Sequence, residues 1–363
     1  MIRRKSDGVE KRVSKTIEEI ARDTGFSVTT VRLVTSGQAT KYRISKSTQQ
    51  IVEDYVDRHG YVVNHAGRSL RLQRTDTIGL VVPAISNAFF ARVMAELERL
   101  CRSRGLVVLT ASSYEDPAQE DLAVRSLWAR GVDGLIIAPC QAPDYGRVVG
   151  KKARVAIVII DRPYSTSRYA SIASDNFAGC LKLTRKILEE GGGGTAFLCA
   201  NPNSPSIAER IRGFSSACLE EGISGWSDLV YRASEDDVAS GAELMDRVLD
   251  REGDTPASFI CSSLLVLEGA TQRLKQRVGR IPAQTIIGTF DDHPMLDFLP
   301  NRVLSVRQDE AAIAAAALQR LQERLGGAMS PPPPTTVNCD LVQRGRSFDS
   351  AVALQLPGQG VSG

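Results

Sequence analysis

The clearest indication of the fold begins at residue 78. There IGLVVP (78–83) is an apolar run, and FFARVMAELERLCRSR (89–104) then repeats apolar residues at the spacing of a helix. The same alternation recurs, with further apolar runs at 106–111, 134–138, 155–161, 195–200, 229–231, 258–262, 286–290 and 303–306 and helical stretches such as 118–130, 177–190, 207–221 and 238–251 between them. Apolar strands separated by helices predict βαβ units and buried parallel sheets.

Roughly ten such strands are too many for one small sheet, so we expect an α/β body of two lobes with a cleft between them. Ligands of such folds bind outside the carboxyl ends of the strands. Near the C-terminus the prolines at 331–334 predict a stiff connector before one last strand at 336–341. The residues at 347–363 are polar and glycine-rich and predict a flexible tail.

Composition excludes several classes of protein. The chain has 363 residues, of which 42% are hydrophobic and 24% charged, as in ordinary globular proteins. It contains no apolar run long enough for a transmembrane helix, and the basic N-terminus is not followed by the apolar stretch of a signal peptide. We therefore expect a cytoplasmic protein without a membrane partner. Seven dispersed cysteines and three separate histidines predict reduced thiols, with no metal site and no cofactor.

Charge is distributed unevenly along the chain. Residues 1–75 hold 15 Lys/Arg and 8 Asp/Glu, a net charge of +7, although the net charge of the whole chain is only +3. The remainder is therefore mildly acidic. A small basic segment joined to a larger acidic one favours a nucleic-acid binder fused to a second module.

The basic segment has the pattern of a helix-turn-helix. Thr16 and Glu19 form a capping-box signature, and Gly25 ends the first predicted helix. Ser27 can cap a second helix at 28–35. A third helix follows Ser45, with Ile51, Val52, Tyr55 and Val56 expected as its apolar stripe. Two short helices joined by a glycine-containing turn are typical of DNA-binding headpieces, although an ordinary helical hairpin has the same spacing.

The start of the second helix would then read DNA. Residues at the start of a recognition helix reach base edges in the major groove. Thr29 can hydrogen-bond a base and Val28 can contact a thymine methyl group. Ser27 and Thr30 can contact phosphates.

Longer stretches resemble the LacI/GalR family of bacterial transcription regulators. TIEEIARDTGFSVTTVRLVTSG (16–37) and KYRISKSTQQIVEDYVDRHGYVVN (41–64) resemble the family headpiece. TIGLVVPAISNAFF (77–90), GVDGLIIAP (131–139), IDRP (160–163), RIRGF (210–214), GTFDD (288–292) and SVRQD (305–309) follow in family order. The resemblance covers about residues 14–346. The loop KYRIS (41–45) and TFDDHPMLDFL (289–299) are similar to the fructose repressor subgroup, also called catabolite repressor/activator proteins.

The resemblance implies an all-α helix-turn-helix headpiece joined to a two-lobed, periplasmic-binding-protein-like parallel-sheet domain. The implied parts are a flexible basic arm (1–13), the DNA-binding domain (14–61), a hinge linker (62–75), the effector-binding and dimerisation domain (76–346) and the tail (347–363). It also implies a homodimer on palindromic operator DNA. The function expected is that of a transcription regulator, a repressor, whose operator affinity is modulated by a sugar or phosphosugar.

The resemblance further implies a hinge helix that folds on the operator. Asn64, Gly67 and Leu70 match this segment, and Leu70 would be the wedge that opens a base step in the minor groove. Gly67 stands where members usually carry Ala, which should weaken the helix off DNA. The base-reading positions would be Val28, Thr29 and Leu33, of which Leu33 is unusually apolar. Arg32 stands where the family usually has Ser and could add a phosphate contact or change the orientation of the helix.

The effector site is also carried over residue by residue. Arg210 matches the family arginine that clamps ligand hydroxyls or phosphate, and Asp161 and Asp291 match the strand-end acids that bind sugar hydroxyls. Arg162 matches the extra cation of the subgroup, and Ser263 stands where many members that bind free sugars carry Asn. The opposite lobe would contribute Asn87, Phe89 and Phe90. Two arginines suit a phosphate dianion, which favours a fructose phosphate. Read without the family, these charges could equally be surface ion pairs.

Two alternatives use the same cleft: a stand-alone sugar-binding protein and a phosphosugar enzyme. The helix-turn-helix counts against the first. For the second, no catalytic base and nucleophile stand out at strand ends, so we expect no enzyme and no catalytic residue. Residues 146–152 lack the spacing of a phosphate-binding loop, and the glycines at 191–194 fit a turn. Asp291, Asp292 and His293 lack further ligands at suitable spacing, so the sequence gives little support for a metal or catalytic site there.

Overall fold

The computed structural model describes residues 15–60, 74–150, 155–164, 168–191, 194–253, 255–327 and 333–345. The chain divides into two compact units, Met1–Thr75 and Asp76–Gly363. None of the described helices is long and apolar enough to cross a membrane.

The described residues of the first unit form three helices: α1 (Ile17–Thr24), α2 (Val28–Thr35) and α3 (Lys46–His59). The predicted capping box at Thr16 is confirmed, since its hydroxyl accepts from the Glu19 N–H and the Glu19 carboxylate accepts from the Thr16 N–H.

A small core of Ile20, Ala21, Val31, Val34, Ala39 and Val52 holds the three helices together. The prediction that Ile51 belongs to the apolar stripe of α3 is wrong. Its side chain is 49% exposed, because the neighbouring Val52 takes the inward position.

The second unit contains two lobes, each with a six-stranded sheet in the described residues. The sheet of the first lobe is wholly parallel. Its strands are β1 (Thr77–Val82), β2 (Val107–Ser112), β3 (Gly134–Ile137), β4 (Ala156–Ile160), β5 (Ala170–Ser174) and β11 (Thr335–Val337), in the spatial order β11-β5-β4-β3-β1-β2. Its helices are α4 (Ala88–Arg102), α5 (Pro117–Ala129), α6 (Tyr145–Val149) and α11 (Glu310–Leu325).

The second lobe repeats this layered arrangement. Its strands are β6 (Ala196–Ala200), β7 (Val230–Ala233), β8 (Ser258–Cys261), β9 (Ile286–Phe290), β10 (Val303–Arg307) and β12 (Asp340–Arg344), in the order β12-β10-β9-β8-β6-β7. Only the pairing of β12 with β10 is antiparallel among these described strands. Helices α7 (Asn176–Glu189) and α8 (Pro205–Glu220) cover one face, and α9 (Val238–Glu252) and α10 (Leu264–Val278) cover the other. Short 3-10 turns lie at Trp226–Leu229 and Pro294–Phe298.

In the described part of the chain, three short segments cross between the lobes. Asp175 joins β5 to α7, Gln308 and Asp309 join β10 to α11, and Asn338 and Cys339 join β11 to β12. Because each crossing is only one or two residues long, the lobes can rotate about them while each keeps its own core.

The strands expected from the sequence differ from the observed strands at two places. Strand β5 was not expected, because its residues, ASIAS, are mostly small or polar and do not form an apolar run, although all five are buried. The single strand expected at 336–341 is wrong. Residues Asn338 and Cys339 cross between the lobes there, so β11 and β12 belong to different sheets.

Candidate functional site: a cleft between the lobes and a recognition helix

Three strands that face the cleft end in a residue with left-handed backbone. Asp161 follows β4 (φ 64°), Asn201 follows β6 (φ 50°) and Asp291 follows β9 (φ 68°). Asp and Asn adopt this conformation more readily than other residues with a Cβ. The chain therefore turns sharply at each carboxyl end and leaves polar side chains at the sheet edges, where parallel sheets bind ligands.

All eight residues that the resemblance assigned to the effector site line this one cleft: Asn87, Phe89, Phe90, Asp161, Arg162, Arg210, Ser263 and Asp291. Six more line it that sequence reasoning missed: Asn201, Ser204, Ser206, Ile207, Asp236 and Gln308. The free volume of the cleft is about 40 Å³, room for a few water molecules. A sugar needs more space than that, so the two lobes would have to move apart to admit one.

Arg210 is buried on α8 and held rigidly. Its Nε donates to Oδ1 of Asn176 (2.7 Å), one terminal nitrogen donates to the carbonyl of Ser262 (2.5 Å), and the guanidinium stacks on Phe290 at 3.8 Å from the ring centre. Among the described residues no carboxylate lies within 4.0 Å of it. Its positive charge is therefore directed at the cleft without being cancelled by a direct partner.

Gly213, three residues after Arg210, explains the spacing of the RIRGF motif. A Cβ at this position would overlap the backbone carbonyl oxygen of Phe177 on α7. Glycine therefore lets α8 lie close against α7, and this contact brings Arg210 to Asn176 at the start of α7.

Arg162 already has a carboxylate partner. Its two terminal nitrogens donate to the two oxygens of Glu115 (2.7 and 2.5 Å), and one also donates to the carbonyl of Pro139 (3.2 Å). Its Nε lies 3.6 Å from Oδ2 of Asp161 and has no hydrogen-bond partner among the described residues. The sequence predicted Arg162 as a cation for the ligand, whereas the fold places Glu115, from the loop after β2, directly against it.

The strand-end acids are buried and partly engaged. The backbone carbonyl of Asp161, in the first lobe, accepts a hydrogen bond from the hydroxyl of Ser206 on α8 in the second lobe (2.5 Å). Burial raises the pKa of the Asp161 carboxyl, while Arg162 and Arg210 oppose this rise. Oδ1 of Asp291 accepts from Nε2 of Gln308 (2.5 Å). The carboxylates are thus positioned as acceptors for ligand hydroxyls.

Asp236 is the acid that sequence reasoning missed. It follows β7 by three residues, and Oδ1 accepts a hydrogen bond from the hydroxyl of Ser263 (2.6 Å). The same Ser263 hydroxyl caps α10 by accepting from the N–H of Val266 (3.2 Å). Burial raises the pKa of Asp236 to about 6. Its place just after a strand, as for Asn201, was the signal that could have identified it.

The first unit presents the predicted recognition helix. The Ser27 hydroxyl caps α2 by accepting from the Thr30 N–H (3.1 Å), and the two hydroxyls lie 2.8 Å apart. The side chains of Thr29 and Arg32 are exposed, whereas Val28 and Leu33 are half-buried. The predicted hinge residues Asn64, Gly67 and Leu70 lie outside the described residues.

The other motifs have structural roles. The Asp292 carboxylate pairs with Arg344 (2.8 Å) and accepts from Ser305, and the ring of His293 accepts from the Met295 N–H. Within the described ranges, no group of three or more His, Cys, Asp or Glu side chains could hold a metal ion. Gly146 lies in the short helix α6 and not in a loop.

Comparison with known proteins adds independent evidence on the family to which the chain belongs. Residues 78–329 match the family described as periplasmic binding protein domain. The chain is 30% identical to the sucrose operon repressor of Klebsiella pneumoniae, over 87% of this chain and 94% of that protein. It is also 30% identical to the catabolite repressor/activator of Salmonella typhimurium, over 91% of this chain and 98% of that protein.

Comparison with solved structures shows that proteins of known structure share the fold of this chain. The Cra dual regulator of Pseudomonas putida, in complex with fructose 1-phosphate, superimposes with a TM-score of 0.67 at 28% identity, covering 74% of this chain and 98% of that one. The lac repressor dimer bound to operator reaches a TM-score of 0.74 at 19% identity, covering 91% and 98%, which shows a shared fold. The chain belongs to the LacI/GalR family of DNA-binding transcription regulators, with a helix-turn-helix headpiece and a periplasmic-binding-protein-like α/β body.

Proposed function

We propose that this protein is a homodimeric repressor whose affinity for a palindromic operator is set by a sugar bound between the two lobes of its α/β body. The observation that carries the proposal is the cleft itself. Side chains from both lobes meet there. The buried Asp161 and Asp291 stand at strand ends, and the buried Arg210 on α8 lines the same small space.

The headpiece supplies the DNA contacts in this proposal. The start of α2 would enter the major groove, with Thr29 at base edges and Arg32 near phosphates. Two chains related by a two-fold axis would place two such helices on the half-sites of a palindrome. By resemblance, the hinge segments around Leu70 would meet at the centre. Binding to chromosomal DNA assigns the protein to the cytoplasm.

The cleft is suited to sense a sugar because closing it joins the lobes. The hydrogen bond from Ser206 to the carbonyl of Asp161 exists only when the lobes are close together. A ligand that binds one lobe orientation better than the other shifts the equilibrium toward it. Because the hinge segment (62–75) leads directly into the first lobe along the chain, a change in lobe orientation would alter how two hinges meet, with a coupling of about 1–3 kcal/mol.

Relatives indicate the class of effector. One relative named above is the repressor of a sucrose operon, and the Pseudomonas putida Cra structure holds fructose 1-phosphate. For this chain we therefore propose a sugar or its phosphate ester, and the fructose phosphate expected from the sequence stays a prediction. The same relatives are regulators and not enzymes, so we propose that the cleft binds its sugar without turning it over.

The test is ligand-dependent release of DNA. Palindromic fragments selected from random DNA by the purified protein would serve as operators, and fluorescence anisotropy would give their affinity with and without fructose, sucrose, glucose and their phosphates. We expect the affinity for the operator to fall steeply as the salt concentration rises. We also expect one of these compounds to change that affinity at least fivefold. No preference for any palindrome over random DNA would reject the proposal. Conversion of the sugar, followed by chromatography, would favour the enzyme alternative.

A further inference from the structure

The charges around the cleft do not balance. Three carboxylates line it, Asp161, Asp236 and Asp291, and a fourth, Glu115, is bonded to the lining Arg162. Two cations, Arg162 and Arg210, are found among the described residues that line the cleft. Among the described residues that line the cleft there is no lysine or histidine. With all of these groups ionised, the site carries two more negative than positive charges.

The two arginines are not equally available. Arg162 is paired at both terminal nitrogens with Glu115, and its side chain is only 7% exposed. A ligand anion would have to compete with a buried bidentate carboxylate for it, and such pairs are among the strongest polar contacts in proteins. Arg210 is therefore the one cation of the described cleft residues that has no direct carboxylate partner. It faces three aspartates.

Asp236 doubles this excess of negative charge from one to two. Without it, the cleft would hold Arg210 against Asp161 and Asp291, with Arg162 and Glu115 cancelling each other. Asp236 adds a third carboxylate, and the Ser263 hydroxyl that points at it is a donor, so the hydrogen bond stabilises the ionised form. Its remaining lone pairs can accept hydrogen bonds from the hydroxyl groups of a ligand.

A phosphate dianion and a sugar hydroxyl interact oppositely with such a wall. Carboxylates accept hydrogen bonds from hydroxyls, but they repel phosphate strongly in a site where little water is present. We propose that Asp236 makes this cleft selective for an uncharged sugar over the phosphate ester of that sugar. The inference rests on the proposed function and separates this chain from its relative that holds fructose 1-phosphate.

The experiment compares anion binding in the full-length wild-type protein, Asp236→Asn and Glu235→Gln. Glu235 is the exposed neighbour of Asp236, so its variant makes the same change of charge outside the cleft. Fructose 1-phosphate and sulfate would be titrated by calorimetry at pH 7.5, with Arg210→Ala giving the background from anion binding elsewhere, including the basic headpiece. We expect Asp236→Asn to bind both anions at least tenfold more tightly than the wild type, and Glu235→Gln to match the wild type. Equal affinity in Asp236→Asn and wild type would overturn the proposal.

A second measurement needs no substitution and covers the case in which Asp236→Asn does not fold. Sulfate keeps its charge between pH 7.5 and 5, whereas the pKa of Asp236 lies near 6. Sulfate binding to the cleft should therefore strengthen at least threefold as the pH falls, because protonation removes a negative charge that faces Arg210. Sulfate affinity that does not change with pH would count against the proposal. Asp161, Asp291 and Glu115 are the other acids facing this site.

Paired sugars on the wild-type protein complete the test. Fructose with fructose 1-phosphate, glucose with glucose 6-phosphate, and sucrose with sucrose 6-phosphate would be compared by thermal shift, since a bound ligand raises the melting temperature. A phosphate ester that binds tenfold more tightly than its parent sugar overturns the selectivity while leaving the proposed regulator intact. If none of the six changes DNA affinity, the proposed function is in question, and the sulfate titrations still decide the role of Asp236.

Discussion

Nε2 of Gln308 donates a hydrogen bond to Oδ1 of Asp291 at 2.5 Å, which ties a segment that crosses between the lobes to the floor of the cleft. Gln308 joins β10 of the second lobe to α11 of the first, and Asp291 ends β9. The side-chain oxygen of Gln308 is buried and has no hydrogen-bond partner among the described residues. A ligand hydroxyl could supply one, so this amide can link occupancy of the cleft to the joint about which the lobes move.

Removing this amide should disconnect the ligand from the joint. Gln308→Leu keeps the size of the side chain but leaves Asp291 without its donor, and we expect the affinity for the effector to fall about tenfold. Operator affinity without effector should stay within about twofold of wild type, because the headpiece is unchanged. Calorimetry with the sugar and anisotropy with the operator measure the two quantities.

Gln319→Leu is the matched control for this substitution, since Gln319 is exposed on α11 and bonds only to Glu323 in the described structure. It should leave both affinities unchanged. If Gln308→Leu also leaves effector affinity intact, the amide has no part in binding.

Arg210 should be required for the ligand response and not for DNA binding. Arg210→Ala removes the cation from the cleft, and Arg210→Lys keeps the charge but loses the bonds to Asn176 and the Ser262 carbonyl. A lysine cannot reproduce this forked geometry. We expect both variants to bind operator normally and to show no change in anisotropy when effector is added.

Arg212→Ala serves as the control for Arg210, because Arg212 lies on the same helix with its side chain 63% exposed. It should respond to effector like the wild type. Retention of the response in Arg210→Ala would show that the arginine is structural.

The hinge prediction concerns specificity. If Leu70 is a wedge in the minor groove, Leu70→Ala should weaken binding to operator by at least tenfold and leave binding to random DNA nearly unchanged, since no phosphate contact is lost. Parallel anisotropy titrations on the two DNAs at one salt concentration give the ratio. An equal loss on both would mean that Leu70 contributes to folding and not to recognition.

The stability of the second lobe should depend on a buried ion pair. Arg302 donates to both oxygens of Glu190 (2.7 and 2.8 Å), and their side chains are only 7% and 2% exposed. Arg302→Met leaves the buried Glu190 carboxylate with only the longer ion pair to Lys186 (3.5 Å), and we expect the free energy of unfolding in urea to fall by about 3 kcal/mol. The double variant with Glu190→Leu should recover most of this loss.

The same pair predicts a dependence of stability on pH. Hydrogen bonds from Arg302 lower the pKa of Glu190 below its ordinary value. Its contribution is therefore present above the ordinary pKa of Glu, about 4.3, and is lost as the pH falls through the lower pKa of the folded state. Arg302→Met should flatten this acidic part of the stability curve. A wild-type curve that is already flat below about pH 4.5 would contradict the assignment.

Local patterns in the chain were enough to predict the helices of the headpiece and most strands, and the family resemblance predicted the eight expected cleft residues. Apolar periodicity and capping residues act within a few positions of each other, and the family motifs mark strand ends. Apolar periodicity did not predict the strands correctly where burial depends on residues that are distant in sequence. In β5 small and serine residues are buried by neighbours distant in sequence, and at Asn338 a strand-like run changes lobe.

The charge balance of the cleft depended on contacts that no local pattern contains. Glu115 meets Arg162 across 47 positions and Ser263 meets Asp236 across 27, because the carboxyl ends of different strands and their loops converge at one edge of each sheet. Which residues are charged is written in the chain, but which charges cancel depends on distances that exist only after folding. The residue types therefore determined that this is a regulator of the LacI/GalR kind, and packing of the folded chain decided that Arg210 shares one cleft with three aspartates.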